Sequence, residues 1–216
     1  MTVDQVSQKT LYETIILANG EMPTHPLSLH LLSCAKQIIC CDGAIEHLLQ
    51  LNIEPTAVVG DCDSISEENK TRFKHILYPD KDEEYNDLNK ALRFCLRRGI
   101  YSVAILGGFG LREDHALGNL GVMIMFAEKE QMTIEMVTNQ GVFTPIFKTT
   151  TLSSFPGQQI SIFGLTEESR FTFHQLKYPV KQKKLEYLWE GTLNEALSDS
   201  FTVEFEKGKA LIYRGF

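Results

Sequence analysis

Short apolar runs that stop at a turn residue or a carboxylate, separated by stretches with helical spacing, restrict this chain more than any other feature. Residues 14–18 run into Asn19-Gly20, residues 37–41 into Asp42-Gly43, and residues 56–59 into Gly60-Asp61. Between them, residues 27–35 read as a helix, and Ile45, Leu48 and Leu49 repeat at helical intervals over residues 44–51. Continuous apolar runs, rather than strict alternation, belong to strands covered on both faces, which is the pattern of a parallel sheet between helices. The same reading predicts a helix over 66–73, a strand over 74–78, a helix opening at Asp87, a strand over 102–106, a helix over about 114–127 and a strand over 133–138.

Beyond residue 138 the pattern changes. Short alternating runs at 149–155, 159–163, 170–177, 184–188, 201–206 and 210–213 are separated by Gly, Pro, Asn and Asp, as in an antiparallel sandwich or barrel. The expected fold class is therefore an amino-terminal parallel-sheet α/β domain over 1–145 followed by a smaller antiparallel β domain over 146–216, with the boundary in the 141–148 stretch.

In parallel α/β sheets ligands gather outside the carboxyl ends of the strands, and Asn19, Asp42, Asp61 and Asp63 all fall there. If Gly60 to Ser64 continues a strand, Asp61 and Asp63 project to one side and Cys62 to the other, so that both carboxylates can converge on a hard cation such as Mg²⁺. Taken alone, the stretch reads slightly better as a turn in which Asp63 or Ser64 caps the following helix. Carboxylates at consecutive strand ends favour a shared site.

The acidic block at 80–87 contains Asp80, Asp82, Glu83, Glu84 and Asp87, and repels itself unless it is solvated or neutralised by cations. Asp87 opens a helix with a buried stripe of Leu88, Ala91, Leu92, Cys95 and Leu96, and Lys90 lies one turn on, placed for a phosphate oxygen or for pairing with Asp87. After the strand at 102–106 come Gly107, Gly108 and Gly110, which let the backbone approach a ligand and offer amides to an anion. This is neither the ATPase phosphate loop, which requires Gly-Lys-Ser/Thr, nor the dinucleotide fingerprint, whose third glycine is missing. If the helix that follows starts early, Arg112, His115 and Asn119 share one face.

A net charge of −7 gives no sign of a general nucleic-acid binder. Cys34, Cys40, Cys41, Cys62 and Cys95 lack CxxC spacing and read as reduced core residues. The first residues lack the order of a signal peptide and no apolar run reaches membrane-spanning length, so a cytoplasmic protein without membrane attachment is expected.

Taken together and in order, Asp42-Gly43-Ala44, Gly60-Asp61-Cys62-Asp63-Ser64, Asp80-Lys81-Asp82 with Asn86-Asp87, and Gly110-Leu111-Arg112-Glu113-Asp114-His115 with Asn119 resemble the motifs of the thiamine pyrophosphokinase family. There the corresponding pieces are Asp-Gly-Gly, Gly-Asp-Phe-Asp-Ser, an Asp-rich segment ending Thr-Asp, and Gly-Gly-Arg-x-Asp-His with a later Asn. The resemblance implies transfer of the terminal diphosphate of ATP to the hydroxyl of thiamine, with ATP as co-substrate, Mg²⁺ as cofactor and a homodimer with thiamine pockets between subunits. It implies Asp61, Asp63, Asp82 and Asp87 as metal ligands, and Lys81, Lys90 and Arg112 as phosphate clamps. Asp114 would order Arg112 or the attacking hydroxyl. Asn19, Asp42, Gly43, Ser64, Asn86, Gly107, Gly108, Gly110, His115 and Asn119 would surround the nucleotide.

This chain departs from the family pattern at Ala44, Cys62, Asn86 and Leu111, and its spacing from Asp82 to Asn86 is longer. Gly191-Thr192-Leu193-Asn194-Glu195 matches the family's Ser-Asn-Glu segment but carries Leu193 where serine is usual. Trp189, Leu193 and Asn194 are the expected thiamine contacts. Two other classes share these residues: a metal-dependent nucleotide or pyrophosphate hydrolase, with water as nucleophile, and a nucleotide or thiamine sensor that releases nothing.

Overall fold

The computed structural model describes residues 12–216, and two compact units divide between Asn139 and Gln140. This is ahead of the boundary expected at 145/146, because most of the stretch expected to hold the boundary is itself the first strand of the second unit, Gly141–Ile146.

The first unit is built on β1 (Thr14–Leu17), α1 (Pro26–Cys34), β2 (Gln37–Cys41), α2 (Ala44–Gln50), β3 (Ala57–Gly60), α3 (Glu67–Arg72), β4 (Leu77–Pro79), α4 (Asp87–Arg97), β5 (Ser102–Leu106), α5 (Glu113–Lys129) and β6 (Thr133–Val137). Its strands lie in the order β4-β3-β2-β1-β5-β6, every pair parallel. The chain steps outward from β1 to β4 and then returns to the other side of β1 with β5. The order therefore reverses between β1 and β5, where the loops leaving the two strands diverge and open a crevice. Ile15, Ile16, Val58, Val103, Ala104, Ile105 and Leu106 are fully buried, as expected of strands covered on both faces.

Local signals set the helix starts. Ser66 accepts the Asn69 N–H and Asn86 accepts the Asn89 N–H, so α3 and α4 each open on a side-chain cap. Pro26 occupies the first turn of α1, where a missing N–H costs nothing, and His25 Nδ1 accepts the Leu27 N–H. On α4, Leu88, Ala91, Leu92 and Cys95 form the buried stripe.

The second unit holds β7 (Gly141–Ile146), β8 (Thr150–Ser153), β9 (Gln159–Gly164), β10 (Thr172–His174), β11 (Asn194–Glu195), β12 (Ser200–Glu204) and β13 (Ala210–Gly215). One antiparallel sheet runs β11-β9-β13-β7 and a second β10-β12-β8. Ile160, Ile162 and Ile212 from the first and Phe173, Phe201 and Val203 from the second share one buried cluster, the core of a sandwich.

Some expectations fail locally. Residues 74–76 form a 3₁₀ turn and only Leu77–Pro79 pairs as a strand. The strand expected at 184–188 is absent: Lys183 makes an isolated bridge to Phe171, and Leu188–Gly191 is a 3₁₀ turn. There the Glu190 carboxylate accepts the N–H groups of Glu186 and Tyr187, and this local capping replaces a ladder. Cys34 is exposed, unlike the four other thiols.

Candidate active site

The crevice at the carboxyl ends of the first unit's strands is a cleft of about 800 Å³. Its floor is made where β1 and β5 end. Asn19 and Gly20 follow β1, Gly107 and Gly108 follow β5, and all four line it. The Gly20 N–H donates to the Gly107 carbonyl, and Glu21 N–H to that of Phe109, which ties the two loops together. Gly107 has φ +66, and a Cβ there would sit 2.4 Å from the Ala18 carbonyl oxygen, so the turn requires glycine.

The acidic wall stands where β2 and β3 end. Oxygen atoms of Asp42, Asp61 and Asp63 all lie within 4.8 Å of one another. The strand-alternation argument does not produce this arrangement. β3 ends at Gly60, and Cys62 takes a left-handed conformation (φ 65) in a tight loop where the Asp63 N–H donates to Asp61 Oδ1 at 3.1 Å. The two carboxylates stay exposed while Cys62 turns inward. Asp42 reaches them because β2 and β3 are parallel neighbours, so their ends lie side by side. Gly60 makes the approach possible: a Cβ on it would lie 2.8 Å from that of Asp42.

Asp42 is only 3% exposed. Its Oδ2 accepts the Ser64 N–H, while Oδ1 is buried without a hydrogen-bond partner among the described residues. A buried carboxylate oxygen lacking a donor is costly unless a cation faces it, and three converging carboxylates offer only hard oxygen donors. The donor set fits Mg²⁺. The resemblance places Asp42 at the nucleotide and not among the metal ligands, whereas the geometry groups it with Asp61 and Asp63.

Asp87 and Lys90 enter the cleft from the first turns of α4. Lys90 is 4% exposed and its Nζ lies 3.5 Å from Asp87 Oδ1. Burial pushes the Asp87 carboxyl above its usual range; the Lys90 ammonium pulls it back, and the Asp42 and Asp61 carboxylates push it up again. Asp82, the fourth expected metal ligand, is not in the cleft wall and lies 3.9 Å from Arg93. Lys81 lines the cleft, with Glu83 and Tyr85, which sequence reasoning did not single out.

The opposite wall comes from the start of α5. Arg112, His115 and Asn119 all line the cleft, although Arg112 is the residue before the helix rather than part of it. Asn119 donates to the Gly108 carbonyl at 3.0 Å and accepts from the Asn86 amide at 3.1 Å, so one amide ties the glycine loop to the cap of α4. Asp42, Gly43, Ser64, Gly110 and Asp114 do not themselves line the cleft.

Arg112 grips Asp114 through Nε at 3.1 Å and Nη2 at 2.6 Å. The guanidinium holds the Asp114 carboxyl down at about 2, against an ordinary 3.8. A depressed carboxyl pKa means the pair's contribution is complete above pH 3.8 and fades as pH falls through about 2. Titration of the Asp114 carboxyl carbon by NMR is expected to show the low midpoint, and Arg112→Ala to return it toward 3.8. An unchanged midpoint in the variant would overturn the assignment.

The three expected thiamine contacts belong to the second unit. Trp189 is 71% exposed and Leu193 78% exposed. Asn194 is buried, with Oδ1 accepting the Tyr178 N–H and Nδ2 donating to the Tyr178 carbonyl, so its amide supports the backbone.

A parallel sheet with an acidic wall, a glycine loop and basic side chains at its carboxyl edge defines an α/β protein equipped to receive a polyphosphate. The comparisons with known proteins refine that class. The family model described as thiamin pyrophosphokinase, catalytic domain, matches residues 29–136, and that described as thiamin pyrophosphokinase, substrate-binding domain, matches residues 141–213. The chain belongs to the thiamin pyrophosphokinase family. It is 30% identical over 110 residues to thiamin pyrophosphokinase 1 of Caenorhabditis elegans, covering 46% of this chain and 44% of that protein. It is 31% identical over 99 residues to thiamine pyrophosphokinase of Bacillus subtilis, covering 43% and 45%. The matched region thus spans about half the length of these curated relatives. The fold resembles the crystal structure of a thiamine pyrophosphokinase from Bacillus subtilis, with a TM-score of 0.80 at 24% identity over 94% of this chain and 98% of that one. That from Candida albicans gives a TM-score of 0.83 at 16% identity over 95% and 89%.

Proposed function

We propose that this chain transfers the terminal diphosphate of ATP to the hydroxyl of thiamine, releasing AMP and thiamine diphosphate. The observation that carries the reading is the convergence of the buried Asp42 carboxylate with Asp61 and Asp63, the latter two lining a cleft shared with a glycine loop, Lys81, Lys90 and Arg112. Family membership supplies the pair of substrates.

In this reading the thiamine hydroxyl oxygen bonds to the β-phosphorus, the bond from that phosphorus to the α,β-bridging oxygen breaks, and AMP leaves with the oxygen. The hydroxyl proton passes to solvent. Catalysis is then positioning and electrostatics more than covalent chemistry. Asp42, Asp61 and Asp63 would hold Mg²⁺, with Asp87 beside them. Bound there, the ion would neutralise the polyphosphate's oxygens. Lys81 and Arg112 would clamp phosphate oxygens, and Lys90 would add a buried positive charge next to Asp87. Asp114, with its carboxyl held near 2, is too weak a base to take a proton at neutral pH and instead fixes the angle of Arg112. Gly107 and Gly108 would let the nucleotide lie against the backbone, with Asn119 steadying the loop.

Trp189 and Leu193 would give thiamine an exposed apolar surface on the second unit, in a homodimer. Leu193 has φ 57, so an L-residue holds a left-handed turn where it is fully displayed. Among the described residues no helix is long and apolar enough to cross a membrane, and cytoplasmic residence remains part of the same proposal.

The test is product analysis: incubate the protein with thiamine and MgATP and separate AMP, ADP and thiamine diphosphate by chromatography. AMP and thiamine diphosphate in equal amounts are expected. AMP or ADP without a thiamine product would establish hydrolysis instead, and nucleotide binding without turnover would establish a sensor.

A further inference from the structure

Residues 80–86 form a lip of the cleft that works against itself. Asp80, Asp82, Glu83 and Glu84 crowd a short loop, yet Lys81, Glu83 and Tyr85 from the same loop line the cavity. Its internal hydrogen bonds are few and local: the Asp82 N–H donates to Asp80 Oδ1 at 3.2 Å and the Glu84 N–H to Asp82 Oδ1 at 3.1 Å. Like charges at this density drive such a loop open unless a cation is seated on it.

Arg93 supplies one. Its guanidinium carbon lies 4.3 Å from the centre of the Tyr85 ring, and Nη1 is 3.9 Å from Asp82 Oδ2. It touches the first and last parts of the lip at once and does not itself line the cavity. Its base is rigid, because Arg93 follows Ala91 and Leu92 on α4, both fully buried. A planar cation stacked on an aromatic face and paired with a carboxylate is a geometry that arginine provides better than lysine.

We propose that Arg93 is a positioning residue for the diphosphate transfer: it braces the lip so that Lys81 and Tyr85 keep their places in the cleft wall. The assignment rests on the transfer reading above. It places on α4, outside the cleft, a determinant of how tightly the nucleotide is held, while the acceptor's affinity is left alone.

The experiment compares Arg93→Ala and Arg93→Lys with the unaltered protein, and uses Arg97→Ala, a change at an exposed arginine of the same helix, as control. In Arg93→Ala the KM for MgATP is expected to rise about tenfold, the combined scale of an exposed cation–π contact and a surface ion pair. The KM for thiamine, kcat and melting temperature should move little. Arg93→Lys, which keeps the charge but loses the planar stacking face, should recover only part of the loss, and Arg97→Ala should show none. Two further readouts do not depend on turnover: affinity for a non-hydrolysable ATP analogue with Mg²⁺ should fall in parallel, and amide hydrogen exchange across 80–86 should quicken in Arg93→Ala.

An unchanged KM with unchanged exchange would overturn the proposal, as would a fall in kcat at constant KM. If the unaltered protein makes no thiamine diphosphate, the transfer reading fails, and analogue affinity and exchange still decide whether Arg93 braces the lip.

Discussion

Replacing Asp63 by asparagine is expected to lower kcat by about 10²- to 10³-fold, on the scale of removing one preorganised charge-stabilising contact. The effect should be catalytic, not structural. Asp63 is exposed, and its own hydrogen bonds, from its N–H to Asp61 and from the Ser64 hydroxyl to Oδ1, are of a kind that asparagine can largely reproduce. What asparagine does not reproduce is the negative charge among three oxygen donors lying within 4.8 Å of one another. The melting temperature should therefore stay close to that of the unaltered protein while Mg²⁺ affinity and turnover fall together. A fully active variant would remove Asp63 from the metal site and leave Asp42 and Asp61 to account for it.

A single methyl group at Gly107 is expected to do comparable damage by a different route. Gly107→Ala places an L-residue at φ +66 with its Cβ 2.4 Å from the carbonyl oxygen of Ala18. The left-handed conformation costs about 1 kcal/mol, and displacing backbone that cannot rotate away adds about 1–3 kcal/mol. The Ala18 carbonyl has nowhere to go, because the Gly20 N–H is bonded to Gly107 and the Ala18 N–H to Leu106. A drop in melting temperature of roughly 10 °C is expected, together with weakened nucleotide binding, since the same loop floors the cleft. Calorimetry and nucleotide titration check the two halves separately. A stable variant with intact nucleotide affinity would show that the loop has freedom the geometry denies it.

These two residues also show how far the sequence could be read. The loop glycines were legible because Gly107 follows an apolar run, and chain geometry leaves few other uses for such a residue there. That Asp61 and Asp63 come together was legible, but for the wrong reason. Strand ends predicted a shared site, but the carboxylates meet through a left-handed Cys62 and not through strand alternation. The partnership with Asp42 depends on which strands are neighbours, and on a glycine opposite, so it exists only in the folded sheet. Arg93 left no signal at all. Its contacts to Asp82 and Tyr85 join residues of a loop to a helix face, and no period or motif encodes that distance. In the second unit, the strand expected at 184–188 failed because Glu190 satisfies the local backbone by itself, and a pattern of alternating residues cannot reveal that competition. Asn194 carried a motif match, yet its amide is committed to Tyr178.

β4 is the outermost strand of the parallel sheet among the described residues, and it is three residues long, ending in an exposed proline. Such an edge invites another chain to add itself, and proteins blunt the invitation with brevity and with residues that cannot donate. Pro79 has no N–H to give, and the N–H of Asp80 is already given to Gly60. What lies one residue further on is the acidic lip. A foreign strand seated on this edge would pull on the segment that carries Lys81 into the cleft, so the features that discourage aggregation at β4 also insulate the chemistry from it.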